Sequence, residues 1–366
     1  MGKIDYLPRI ADKLLEDRLN AIGAVLIAGP KWCGKTTTAL EQAKSVLKLQ
    51  DTDKSKEYLA AAAVKPSLLL RGENPRLIDE WQMAPVLWDA VRNAVDERGE
   101  NGLFILTGST TVDDSLIMHS GTGRISRLIM YPMSLFESGD SNGKISLAAL
   151  FQNPELDIDG VTSDLSIENL VFAACRGGWP SSLNRKTEKT MLFEALNYVE
   201  NICESDASTV DGIKRSPDRV KAVLRAYARN ISTLATDKTI LKDVTSNYMD
   251  ISGPTLFSYL NVLERLYVIE DIPAWCPSIR SATTIRAGKK KGFTDPSIAV
   301  AALALSPESL LFDMFTFGFV FESLCLRDLK IYSSSLGGHV SYYRDRFSLE
   351  ADCVLHLSDG RYVYFS

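Results

Sequence analysis

The chain has 366 residues, 45% of them apolar and 24% charged, with a formal net charge of −5 at pH 7. These values exclude a disordered or low-complexity chain, and the length calls for two or three domains. The mild negative charge excludes a global basic field that would draw the whole chain onto nucleic acid, and leaves only a local patch able to do so.

Residues 7–20 read as an amphipathic helix, and the apolar run Ile22–Ala28 as a short buried strand. Gly29-Pro30-Lys31-Trp32-Cys33-Gly34-Lys35-Thr36 follows and matches G-x-x-x-x-G-K-[ST] at every specified position. Thr37–Lys44 then reads as a helix. Strand, glycine loop and helix in that order aim backbone N–H groups at phosphate oxygens from a positive helix end. The stretch Gly29 to Thr37 is therefore the expected ATP-phosphate cradle. Lys35 would neutralise the β- and γ-phosphates and the Thr36 hydroxyl would hold Mg²⁺. Cys33 occupies one of the variable positions of the pattern.

Val46–Asp53 is a plausible second strand, and 54–71 reads as helical. Arg76–Glu80 reads as a strand ending in two carboxylates. Asp79 would hold Mg²⁺, and Glu80 would orient and deprotonate the attacking water. A helix from Pro85 to Asp96 leads to another buried strand, Gly102–Ser109. At its end, Thr107 or Ser109 would contact the γ-phosphate or the water. Arg124, in Gly123–Arg127, is a candidate to reach the γ-phosphate of a neighbouring subunit. Strands alternating with helices argue for a parallel sheet, with ligands at the carboxyl ends of its strands.

Residues 139–165 shift to Gly, Asp, Ser and Asn and read as loop or linker, while 166–266 read as helical. Ser252–Leu266 has a capped start and helical apolar spacing. With helices before it and a strand at 267–272 after it, it suggests a winged helix-turn-helix. Arg280, Arg286, Lys289, Lys290 and Lys291 would then form a basic wing against DNA phosphates. Ile298–Phe321 is broken by Pro307, Glu308 and Asp313 and reads as buried helices rather than a membrane span. Ser341–Arg344 and Asp352–Leu357 look like sheet. The N-terminus has no apolar signal core, and the six scattered cysteines show no C-x-x-C pair, so a reducing, cytoplasmic setting is expected.

The order of Gly29–Thr36, Leu77–Gln82 and Leu106–Ser109 resembles the prokaryotic AAA-type ATPases with a C-terminal domain of unknown function 4143. Tyr131–Glu137, Arg176-Gly177-Gly178-Trp179-Pro180, Phe293–Ser297, Gly318–Glu322 and Leu349–Asp352 are similar to that family's later segments. The resemblance implies that Lys35, Thr36, Asp79 and Glu80 serve phosphate and magnesium, with Thr107 or Ser109 as a sensor. It also favours ATP over GTP, since no N-K-x-D guanine-reading motif is present. Glu322 and Asp352 resemble the acids of a restriction-nuclease core, but the last strand, Arg361–Ser366, stops where E-x-K would be expected, which argues against cleavage.

The expected fold is α/β: a P-loop NTPase parallel-sheet domain (1–140), a helical lid with a winged helix-turn-helix (141–272), and a small, partial nuclease-like α+β domain (273–366). The expected function is Mg-dependent ATP hydrolysis driving a conformational switch or assembly, in a possible homo-oligomer with a protein or DNA partner and no membrane. The alternatives are a nucleic-acid-binding regulator in which ATP only sets conformation, and a small-molecule kinase.

Overall fold

The computed structural model describes residues 6–110, 120–276, 288–345, 347 and 349–366. The chain divides into two units, Met1–Tyr131 with Arg265–Tyr267, and Pro132–Glu264 with Val268–Ser366. The division expected at 272–273 falls inside the second of these. Arg280 and Arg286 of the expected basic wing lie outside the described residues.

The first unit runs α1 (Ile10–Ala21), β1 (Ala24–Ala28), α2 (Lys35–Gln42), β2 (Ser45–Lys48), α3 (Ser55–Val64), β3 (Arg76–Asp79), α4 (Val86–Arg98), β4 (Phe104–Gly108) and β5 (Ile125–Ile129). All five strands pair in parallel, in the order β2-β3-β4-β1-β5. β1 and β4 are buried at every residue, which is why both read as continuous apolar runs. Alternation still sorts their side chains. Leu26, Ile78, Phe104 and Leu106 pack on one face with Leu87 and Val91 of α4. Val25, Ile27, Leu77 and Ile105 pack on the other with Leu15 and Leu19 of α1 and Ala39 of α2. Because the strands run one way, Gly29, Asp79 and Ser109 all leave the sheet at its carboxyl edge.

In the second unit come α5 (Leu147–Gln152), α6 (Ile167–Arg176), α7 (Pro180–Leu183), α8 (Glu188–Asn201) and α9 (Ala207–Thr209). A π-helical turn, Ile202–Asp206, joins α8 to α9. Next are α10 (Pro217–Ala228), α11 (Asp237–Asn247), α12 (Gly253–Arg265), α13 (Pro296–Ala302), α14 (Pro307–Phe312) and α15 (Met314–Ser334). The antiparallel sheet β6 (Gly338–Arg344), β7 (Glu350–Leu357), β8 (Tyr362–Phe365) closes it. The strand expected at 267–272 is present only as single antiparallel bridges, Ile269 with Phe293 and Ile272 with Lys290.

A buried ionic knot explains several of the later motif segments. Arg327 bonds Asp295 and Asp328 at 2.7 Å each, all three being buried. Asp295 also accepts from the Gly178 and Ser297 backbones, and Asp328 from the Leu135 backbone. A Cβ at Gly178 would lie 2.1 Å from the Met133 carbonyl oxygen. One at Gly177, where φ is +74°, would lie 2.3 Å from Ser297 Oγ. Gly178 is thus required by close backbone packing, and Gly177 by its left-handed φ and the side chains crowded over it. No described helix is long and apolar enough to cross a membrane.

Candidate nucleotide site

The glycine loop is fixed from beneath by the segment after β5. A Cβ on Gly29, which has φ +150°, would lie 2.1 Å from the Met130 carbonyl oxygen. The fully buried Cys33 points its Sγ at the same oxygen, 3.5 Å away, so its thiol faces the floor rather than a ligand. Arg9, 7% exposed, donates to the carbonyls of Cys33 and Tyr131 at 2.8 Å each. It therefore ties the loop to the strand edge from outside the motif. Nothing in the sequence pattern marked Arg9. Tyr6 adds a second tie through its hydroxyl, 3.0 Å from Thr38 Oγ1 on α2.

Lys35 starts α2, with Gly34 in the left-handed region at φ +100° as its N-cap. The Lys35 ammonium is buried and donates to the carbonyls of Gly29 at 3.0 Å and Pro30 at 2.6 Å. It sits within the curl of the loop, where a phosphate oxygen would replace those carbonyls. Trp32 and Thr37 are exposed, and Trp32 has φ +65°.

Thr36 Oγ1 donates to Asp79 Oδ1 at 2.7 Å, joining the loop helix to the end of β3. Thr107 Oγ1 donates to the same oxygen, also at 2.7 Å, and accepts from the Glu80 backbone N–H at 3.2 Å. β4 lies between β1 and β3, which puts Thr107 directly behind Asp79. Thr107 is fully buried with its hydroxyl committed, so a direct contact with phosphate gives way to support of the two acids. Asp79 is 1% exposed, and Gln50 Nε2 lies 3.5 Å from its other oxygen. A buried carboxylate and a hydroxyl are hard oxygen donors. With phosphate oxygens and water completing the shell, they suit Mg²⁺.

Glu80 follows in the left-handed region, with φ +56° and ψ 50°. That turn carries its carboxylate back over β4, where Ser109 Oγ donates to Oε2 at 3.2 Å and Gln82 Nε2 donates to the same oxygen. Lys35, Thr36, Asp79, Glu80, Thr107 and Ser109 are thus gathered at one edge. Arg124 is not among them. It precedes β5 at the amino edge of the sheet and pairs with Asp96 at 2.6 Å.

The basic wing is corrected for two of its members. Lys290 is 2% exposed and bonds Glu322 at 2.7 Å and Asp352 at 3.2 Å. Lys291 is 7% exposed and bonds Asp271 at 3.0 Å and Asp237 at 3.1 Å. Both ammonium groups are turned inward onto carboxylates that are themselves partly exposed. None of the six cysteines is in a disulfide, and burial pushes the Cys175, Cys203, Cys325 and Cys353 thiols up to about 12, which keeps them protonated and inert.

Residues 22–138 match the AAA domain family. This stretch is similar to AAA-type P-loop domains. Its parallel five-stranded sheet with helices is that of a P-loop NTPase, and the match supports ATP binding by the first unit. Residues 167–309 match a domain of unknown function, DUF8612. No curated protein sequence matches the chain. Among solved structures, the Walker-type ATPase PABY2304 of Pyrococcus abyssi is similar at 16% identity. The alignment covers 82% of this chain and 97% of that one, with a TM-score of 0.48.

Proposed function

We propose that the first unit binds ATP with Mg²⁺ and hydrolyses it to ADP and phosphate, and that turnover drives a conformational switch or assembly. The observation that carries this reading is the 2.7 Å bond between Thr36 Oγ1 and Asp79 Oδ1, which brings the loop's hydroxyl to a buried carboxylate on another strand. Lys35 would exchange its bonds to the Gly29 and Pro30 carbonyls for phosphate oxygens. Thr36 and Asp79 would hold the magnesium ion, which when bound neutralises charge on the phosphates. Glu80 would take a proton from the attacking water, with Ser109 beside it. The left-handed backbone at Glu80 supports this role, because strain of that kind persists where a side chain must be aimed.

Three helices, α10 to α12, followed by the bridges at 269–293 and 272–290, support a winged-helix reading of that stretch. DNA contact through it is not favoured, because Lys290 and Lys291 are spent on carboxylates. Arg124 would act only across a subunit boundary, on releasing Asp96, and this makes homo-oligomerisation part of the proposal.

The test is phosphate release from ATP with Mg²⁺, together with nucleotide titration. Lys35→Ala should weaken ATP binding about 100-fold or more, and Glu80→Gln should keep binding while hydrolysis falls about 100- to 1000-fold. Equal phosphate release by the wild type and Glu80→Gln would remove Glu80 as the base.

A further inference from the structure

Both hydrogen bonds that reach the Glu80 carboxylate end on one oxygen, Oε2. One donor is Ser109 Oγ at 3.2 Å, the other is Gln82 Nε2, and these two donors lie 3.4 Å apart. Among the described residues, Glu80 Oε1 has no partner. Gln82 is held where it is by rigid surroundings. It lies in the 3₁₀ turn Trp81–Met83, and Trp81, 4% exposed, packs on Trp88 with ring centroids 4.9 Å apart. A Cβ at Gly108 would come 2.9 Å from Trp81 Nε1 and 3.1 Å from Gln82 Oε1, so the glycine after Thr107 leaves the space this turn occupies. Among the described residues, buried Gln82 Oε1 has no hydrogen-bond partner, an unfavourable placement that the Gln82 amide bond to Glu80 must offset.

We infer that Gln82 is the positioning residue of the proposed base: with Ser109 it fixes Glu80 Oε2 and presents Oε1 to the attacking water. This rests on the ATPase reading above. A carboxylate on a freely rotating side chain would offer either oxygen in many directions, and only a fraction of them would meet an in-line water. Two donors on one oxygen select a single orientation. Ser109 thereby acts through Glu80 rather than on the phosphate.

The measurement is single-turnover ATP hydrolysis by the wild type, Gln82→Ala, Glu80→Ala and the double variant, with ATP affinity and thermal unfolding recorded for each. Gln82→Ala should slow hydrolysis about 10- to 100-fold with ATP affinity unchanged within about twofold. In the Glu80→Ala background the same change should alter the rate less than about twofold, because Gln82 has no base left to aim. Gln82→Glu keeps the shape, removes the donor and should reproduce the loss, which decides the matter if the alanine variant unfolds. An unchanged rate in Gln82→Ala or Gln82→Glu, or an equal loss in both backgrounds, would overturn the inference. A wild type that does not hydrolyse ATP overturns the ATPase reading itself. An active wild type with equally active Gln82 variants overturns only the role of Gln82.

Discussion

Asp79 in the first unit and Glu322 in the second are both acids held largely out of water, and they are satisfied in different ways. Asp79 accepts from the hydroxyls of Thr36 and Thr107, both neutral donors. Glu322 accepts directly from the ammonium of Lys290, which also reaches Asp352 at 3.2 Å and Glu350 at 4.0 Å. Hydroxyls satisfy lone pairs without cancelling charge, so the first site retains its attraction for a cation. The second carries its cation in the chain. In the second cluster the Lys290 ammonium already stands among the carboxylates, and among the described residues no group of three or more His, Cys, Asp or Glu side chains is arranged to hold an ion. A lysine does enter that cluster, but from position 290, outside the final strand, and it sits among the acids.

The largest expected effect tests the first half of this contrast. Asp79→Asn keeps the shape of the side chain and one oxygen to accept from Thr36 and Thr107, and replaces the charged carboxylate with a neutral amide. It should lower Mg-dependent ATP hydrolysis about 1000-fold and raise the magnesium concentration needed for half-maximal activity. A magnesium titration of both proteins checks this. An unaltered magnesium requirement would mean that Asp79 only braces Thr36, and the contrast between the two acids would fail.

Lys290→Met tests the other half. Removing the cation leaves Glu322, Glu350 and Asp352 facing one another, and the expected cost is about 3 kcal/mol, read from urea denaturation. Adding Mg²⁺ or Mn²⁺ should raise the melting temperature of the variant and not that of the wild type. The pH response has a definite sign. Burial raises the Glu322 carboxyl, and Lys290 pulls it back without restoring the ordinary value. An acid held above its unfolded value favours the fold at low pH and loses that contribution as pH rises through its folded value. Without Lys290 the gap widens, so Lys290→Met should recover stability from pH 7 to pH 5 more steeply than the wild type. For Lys290 itself, burial works downward but Glu322 and Asp352 outweigh it and raise the ammonium above 10.5. Its contribution is complete below that value and should be lost only as pH rises past the raised one.

The sequence disclosed the first unit far better than the second, for a physical reason. A phosphate loop needs specific residues at fixed spacing, so Gly29, Gly34, Lys35 and Thr36 stood out by identity, whereas Asp79 and Glu80 stood out only as carboxylates closing an apolar strand downstream of that loop. β1 and β4 were legible because burial on both faces makes them unbroken apolar runs. β5 was not, since an edge strand with Arg127 exposed lacks that signature. Lys290 and Lys291 misled because a charge run in sequence says nothing about which acids the fold brings to it. Glu322 and Asp271 come from elements distant in the chain. Arg9 was silent because it reaches the loop through backbone carbonyls, and a carbonyl leaves no trace in residue identity.

Arg9 supplies the smallest of the expected effects and the one that most refines the contrast. If the cation-accepting site depends on a loop held open in one shape, the clamp on the Cys33 and Tyr131 carbonyls should matter to binding although it is made to main-chain atoms. Arg9→Ala should weaken ATP binding about tenfold, because the Cys33 and Tyr131 carbonyls lose a charged donor and the loop gains freedom. Arg9→Lys should restore only part of that, since an ammonium cannot span two carbonyls in the geometry of a guanidinium fork. The change should leave the magnesium requirement where it was, separating the shape of the loop from the charge of Asp79. ATP and magnesium titrations of the same variants read both quantities. If Arg9→Ala shifts the magnesium requirement as far as Asp79→Asn does, loop shape and metal affinity are one property, and the hydroxyl ring around Asp79 is not by itself what keeps that acid open to a cation.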